Sequence, residues 1–128
     1  MALKNGIVVK FYQDFSSHAQ ETSKSGLHIK SYEKTFSAEQ LIILACKERR
    51  IGPSGVYIFG LSEEGNGDRW ILPNQKILCS TDRLQEFTLR IRFIPSLTGL
   101  NVLGRECKEA FNYFFLQCRH DFVKEKFT

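Results

Sequence analysis

The stretch that most constrains this chain is residues 87–93, FTLRIRF, where Phe87, Leu89, Ile91 and Phe93 alternate with Thr88, Arg90 and Arg92. Strict alternation is the pattern of a strand with one face buried and the other wet. Pro95 closes it, because proline has no N–H to give to a ladder. A strand of this kind needs neighbours in a sheet and a layer to cover its apolar face. Ile7, Val9 and Phe11 alternate with Val8, Lys10 and Tyr12 to give a first strand. After a polar stretch at 16–25 and Gly26, Leu27 and Ile29 share a face, which predicts a hairpin with a long loop.

The covering layer comes next. Ser37 with Gln40 three residues on forms a capping box, and Ala38, Leu41, Ile42 and Ala45 repeat on one helical face. The helix should run about three turns, to near Arg50. There Lys47, Arg49 and Arg50 suit the negative helix end, and Gly52-Pro53 prevents continuation. Residues 56–61 are rich in β-branched and aromatic side chains, and Gly65-Asn66-Gly67-Asp68 is a turn signal before a strand at 69–72. The order strand, strand, helix, strand, strand, strand is that of an α+β, ubiquitin-like β-grasp: a mixed sheet with one helix packed across a face. Trp70 is expected as a large core or interlobe anchor.

This organisation divides the chain into a lobe at 5–95, a linker at 96–104 and a helix at 105–128. The last is predicted because Cys107, Phe111, Phe114, Phe115, Cys118 and Phe122 fall on one stripe. Burying each large side chain is worth roughly 1.5–3 kcal/mol, so this stripe must pack on the lobe or on sequence beyond it. The chain reads as cut short.

Composition adds exclusions. With 42% hydrophobic and 25% charged residues the chain can bury a core, and disorder throughout is not expected. The longest uninterrupted apolar run is 41–46, far below a membrane span, and the N-terminus lacks the order of a signal peptide. Cys46, Cys79, Cys107 and Cys118 have no zinc-site spacing, and there is no N-x-S/T acceptor. Reduced thiols in the cytosol are the expectation. The formal charge of +4 is compatible with anionic lipid or an acidic partner. No block of five or six like charges exists, and no nucleic-acid partner is expected.

Several segments together resemble the FERM family, in which a ubiquitin-like lobe is followed by a helical lobe and then a third. Residues 87–95, FTLRIRFIP, look like the last strand of the first lobe, and 111–117, FNYFFLQ, like the opening helix of the second. Within that family the sequence is similar to Janus kinases through 36–43 (FSAEQLII), 51–53 (IGP), 59–61 (FGL), 70–74 (WILPN) and 117–123 (QCRHDFV). It departs from them after Phe93, where Ile94-Pro95-Ser96 stands in place of an aromatic-rich ending with a tryptophan. The resemblance implies a non-catalytic part of a tyrosine kinase that docks on cytokine-receptor tails at the inner face of a membrane. Its implied partners are the remaining FERM lobes and an SH2-like domain of the parent, the receptor juxtamembrane region, and anionic lipid. A membrane-to-cytoskeleton linker of the band 4.1 type is the alternative, since 57–61 and 111–117 also resemble those proteins.

Nothing in the residues points to chemistry. The ordered motifs of a kinase domain are missing, and Gly65-Asn66-Gly67 suits a hairpin turn better than a phosphate cradle. Arg119-His120-Asp121 has catalytic-loop letters in the wrong order. Cys118 and His120 lie about 200° apart on a helix, so a thiol–imidazole pair is not expected. His18 and His28 have no partners at metal-ligand spacing. No catalytic residue, cofactor or metal is expected. Lys47, Arg49 and Arg50 at the end of the first helix, with Arg90 and Arg92 on the last strand, are the candidate membrane or partner contacts. Trp70, Phe111, Phe114, Phe115 and Phe122 are the candidate interlobe or core anchors.

Overall fold

The computed structural model describes residues 5–12, 26–63, 69–93 and 96–127, with side chains through Phe122 except that of Ser54. Strands β1 (Gly6–Lys10) and β2 (Gly26–Ile29) form the expected hairpin, with Ile7 opposite Ile29 and Val9 opposite Leu27. The loop between them, with His18, and the 65–68 turn lie outside the described residues. Next come β3 (Thr35–Ser37), α1 (Ala38–Glu48), α2 (Pro53–Val56), β4 (Phe59–Glu63), β5 (Trp70–Ile71), β6 (Lys76–Leu78) and β7 (Leu84–Ile91). The main sheet has the order β2-β1-β7-β4-β5, with β1 parallel to β7 and the other pairs antiparallel. A small second sheet pairs β3 with β6 and buries Phe36 opposite Ile77. These two strands, of three residues each, are too short to carry a visible alternation.

Alternation holds along β7 to Ile91, but Phe93 lies beyond the strand at 60% exposure, and Val8 and Tyr12, expected to face water, are buried. Leu61, Ile71 and Leu89 share one face, and each is at most 3% exposed. Helix α1 lies on that face. Its Ser37 cap accepts from the Gln40 amide at 3.1 Å, and Gln40 Oε1 accepts from the Ser37 amide at 2.9 Å. Ala38, Leu41, Ile42 and Ala45 are buried, and each large side chain fully removed from water contributes about 1.5–3 kcal/mol.

The end of α1 is set by a local motif rather than by Gly52-Pro53. The Ile51 amide donates to the Cys46 carbonyl at 2.7 Å and the Arg50 amide to Lys47 at 3.1 Å, a Schellman closure. Arg50 takes the left-handed position at φ 61°, where glycine is the usual residue. Pro53 then opens α2, since a missing N–H costs nothing in the first helical position. Residues 53–56 are therefore helical, and the strand expected from residue 56 starts at Phe59.

Two further expectations are corrected. The stretch 96–104 is not an irregular linker: Leu97–Glu106 is helix α3, capped by the Ser96 hydroxyl, which accepts from the Gly99 amide at 3.1 Å. Cys107 separates it from α4 (Lys108–Phe127). Of the two places expected for Trp70, core or interlobe, the core does not hold. Ile71 takes the inward position of β5, so Trp70 falls on the outer sheet face, partly exposed, under the guanidinium groups of Arg90 and Arg92 at 5.9 and 5.5 Å. Gly60 makes room for it, because a Cβ there would stand 3.1 Å from Trp70 Cζ3. All four cysteines are free thiols.

Candidate functional site

Strand β7 outruns its parallel neighbour. The β1 pairing ends at Lys10 with Thr88, and β7 continues to Ile91. The outward-pointing amide and carbonyl groups of residues 89–91 on that edge would lose water without gaining a strand partner. Helix α4 supplies the partners from side chains. The Tyr113 hydroxyl donates to the Leu89 carbonyl at 2.6 Å and accepts from the Tyr12 amide at 3.0 Å. Gln117 offers its side-chain amide as a substitute peptide unit: Oε1 accepts from the Ile91 amide at 2.6 Å and Nε2 donates to the Ile91 carbonyl at 3.0 Å. Both side chains are buried, at 0% and 5% exposure. A buried main-chain group left without a partner costs about 1–3 kcal/mol, more than a made bond returns.

Between these two bonded residues Arg90 points to the opposite sheet face and meets the next turn of α4. Its guanidinium reaches Asp121 in a two-pronged pair at 3.1 and 2.8 Å and donates to the Tyr12 hydroxyl at 2.9 Å. Tyr113, Gln117 and Asp121 thus form an i, i+4, i+8 stripe that follows the end of β7. Rings fill the space around the stripe: Tyr113 lies 5.5 Å from Phe59 and 5.7 Å from Tyr12. The Arg49 guanidinium covers Phe11 and Tyr113 at 5.6 and 5.3 Å. Burial holds the Tyr113 phenol well above its ordinary value, against smaller lowering effects from the Tyr12 amide and Arg49. It therefore stays protonated and keeps its donor on Leu89. Gly55 lets α2 abut this helix, since a Cβ there would stand 3.0 Å from that of Ala110.

The end of β7 is thus locked to α4 by side chains spaced over two turns of that helix. Residues 9–99 match the family model of the FERM F1 ubiquitin-like domain. The chain belongs to that family. Its F1 lobe is α+β, with the mixed sheet and helices described above. A solved myosin VII MyTH4-FERM MF2 domain from Dictyostelium discoideum superposes with a TM-score of 0.63 at 14% identity, covering 98% of this chain and 26% of that one. A mutant of the same domain gives 0.57 at 15% identity, over 93% and 25%. The chain spans about a quarter of the length of those solved chains. A search of curated proteins finds no match.

The F1 lobe distributes the sequence-predicted residues differently from the sequence reading. The face of α4 that meets the lobe is Ala110, Tyr113 and Gln117, all buried. The phenylalanine stripe lies to the side and away: Phe111 and Phe114 are partly buried, while Phe115 and Phe122 are 55% and 64% exposed. Phe115 and Phe122 are thus not core residues of this lobe. Arg90 is not an open basic contact either, because its side chain is 13% exposed and engaged with Asp121. Arg92 sits over Trp70 and Phe93, and Arg49 over the Tyr113 ring. Lys47 and Arg50 are exposed beside a groove at the end of α1.

Asp121 and its neighbours serve this seam as well. The His120 ring rests 4.6 Å from Tyr12, Cys118 is exposed, and the Asp121 carboxylate is committed to Arg90. His28 Nε2 lies 3.1 Å from the Asn5 carbonyl. Among the described residues no cluster of three or more His, Cys, Asp or Glu could hold a metal, and no helix is long and apolar enough to cross a membrane. Sequence reasoning missed Tyr12, Tyr113 and Gln117. Strand length gave no signal for them, since the alternation at 7–12 is one residue shorter than that at 87–93; the trace was the polar-tipped side chains at 113 and 117, one helical turn apart.

Proposed function

We propose that this chain is a non-catalytic targeting lobe, the F1 part of a larger FERM module whose helical second lobe begins with α4. The observation that carries this reading is the double character of α4: one face bonded to the end of β7, the other presenting Phe115 and Phe122 outward. Large apolar side chains beside a fixed seam suit the docking of further helices. The remaining FERM lobes are therefore its first partners.

The finer reading is that the parent is a Janus-type tyrosine kinase, held at the cytoplasmic face of a membrane on cytokine-receptor tails. Its support is the similarity in 36–43, 51–53, 59–61, 70–74 and 117–123, which includes the cap of α1 and the Gln117 and Asp121 positions of the seam. In this reading the lobe supports receptor binding by the neighbouring lobes and the SH2-like domain, and contributes little binding alone. The test is a pull-down on immobilised receptor juxtamembrane peptides, comparing this chain with the same chain extended through the other FERM lobes. Retention of the extended form alone is the expected result. Retention of neither, with actin-linked membrane proteins recovered instead, would transfer the lobe to a band 4.1-type linker.

A further inference from the structure

Away from the α4 seam, the end of α1 and the start of α2 enclose a groove of about 580 Å³. Its lining is mostly apolar, from Ile43, Ile51, Pro53 and Val56, and includes the exposed cations of Lys47 and Arg50. Ile43 is 47% exposed, on the face of α1 opposite the buried Ala38, Leu41, Ile42 and Ala45. With Leu44, 39% exposed, it makes the outer face of α1 apolar at this turn.

Arg50 is the second unusual feature. It occupies the left-handed position of the Schellman closure at φ 61°, where glycine would carry no steric cost. Glycine stands only two residues on, at Gly52, in extended backbone. The chain thus holds a side chain in a conformation disfavoured for it, in the lining of the groove. Strained backbone clusters at binding and switch sites; Glu33, at φ 65°, is the other non-glycine residue in the left-handed region among those described. Lys47 lies one helical turn beyond Ile43, so one cation and one apolar contact share the same strip of α1.

We propose that this groove docks a short acidic segment of a partner protein, with apolar side chains seated on Ile43, Pro53 and Val56 and flanking carboxylates paired to Lys47 and Arg50. Charge complementarity decides the sign of the partner, and the lining decides its class. A lipid headgroup or free phosphate needs several converging donors, whereas this lining is mostly hydrocarbon with two exposed cations. Apolar anchors beside exposed charges are the arrangement by which a groove takes an amphipathic peptide. The site is separate from the α4 seam and stands whether or not the parent is a kinase.

The test uses the whole chain with its isoleucine methyl groups labelled for NMR. It is titrated with a synthetic peptide bearing two leucines one helical turn apart between glutamates, with the same peptide carrying lysines for glutamates, and with phosphatidylserine vesicles. The expected result is saturable shifts at the Ile43 and Ile51 methyls with the glutamate peptide and binding at least about tenfold weaker for the lysine peptide. Lys47→Glu with Arg50→Glu should reverse that preference, and Ile43→Ser should abolish binding of the glutamate peptide. All three side chains are exposed, so the thermal midpoint of each variant should stay close to that of the parent. No shift at these methyls, equal binding of the two peptides, or binding to vesicles alone would overturn the proposal.

Discussion

Helices α1 and α4 both meet the central sheet, α1 through Ala38, Leu41, Ile42 and Ala45 and α4 through Tyr113, Gln117 and Asp121. The first contact is hydrocarbon on hydrocarbon, strong in sum but indifferent to small slips. The second is a set of directional bonds to named groups of β7, each of which loses its partner if the helix shifts by one residue. The sheet thus gains its stability from one helix and an exact position for the next element from the other. A lobe that must hold a neighbour at a fixed angle needs the second kind of contact.

That contrast can be broken in three ways. Leu41→Ala removes a side chain with no exposure from the centre of the core and should cost about 2–5 kcal/mol in urea unfolding. All probes of the lobe should lose stability together. Gln117→Leu keeps most of the volume but strips the partners from the Ile91 amide and carbonyl, at about 1–3 kcal/mol. Hydrogen exchange should here accelerate first at Ile91, with Leu41 still protected; uniform acceleration would show that α4 is part of the same cooperative unit as α1.

The third effect appears only in alkali and is absent at neutral pH. Burial, with nearby Cys107 as a lesser cause, pushes the Cys46 thiol up from 9.0 to about 12. The unfolded thiol ionises above its ordinary value while the folded one stays neutral. Its contribution is therefore whole below pH 9 and declines as the pH rises toward 12, by up to about 1.4 kcal/mol per pH unit. Tyr113, raised in the same direction, adds to the decline above its ordinary value of 10.0. Urea midpoints measured from neutral to alkaline pH should follow this slope, and Cys46→Ala should flatten its early part.

The same contrast explains what could be read from the sequence. Helix α1 and strand β7 were legible because their signals are local: a capping box, a period of 3.6 and a period of two. Helix α3 was not, because Gly99, Asn101 and Gly104 weaken helical propensity, and only Leu103 of its residues is buried. The Ser96 cap and packing against α4, where Gly104 faces Phe111, make up the difference. On α4 the phenylalanines drew attention by their size, yet the lobe uses the face with a tyrosine hydroxyl and a glutamine amide. A hydrophobic count scores a buried glutamine as surface. The Arg90–Asp121 pair was hidden for a similar reason, since alternation gives the face of Arg90 but not what covers it. The groove at the end of α1 depends on Arg50 adopting positive φ at a position where sequence alone suggests an ordinary helix end.

Gln117 has one more consequence. A sheet border with bare main-chain donors and acceptors acts as a template on which extended segments of other molecules can be laid down. By presenting its own amide in place of a peptide group, Gln117 blocks that template at Ile91, and Tyr113 blocks it at Leu89. Helix α4 is therefore also a guard against self-association. Any event that lifts it away would uncover main-chain groups at Leu89 and Ile91 and leave the lobe with a sticky border.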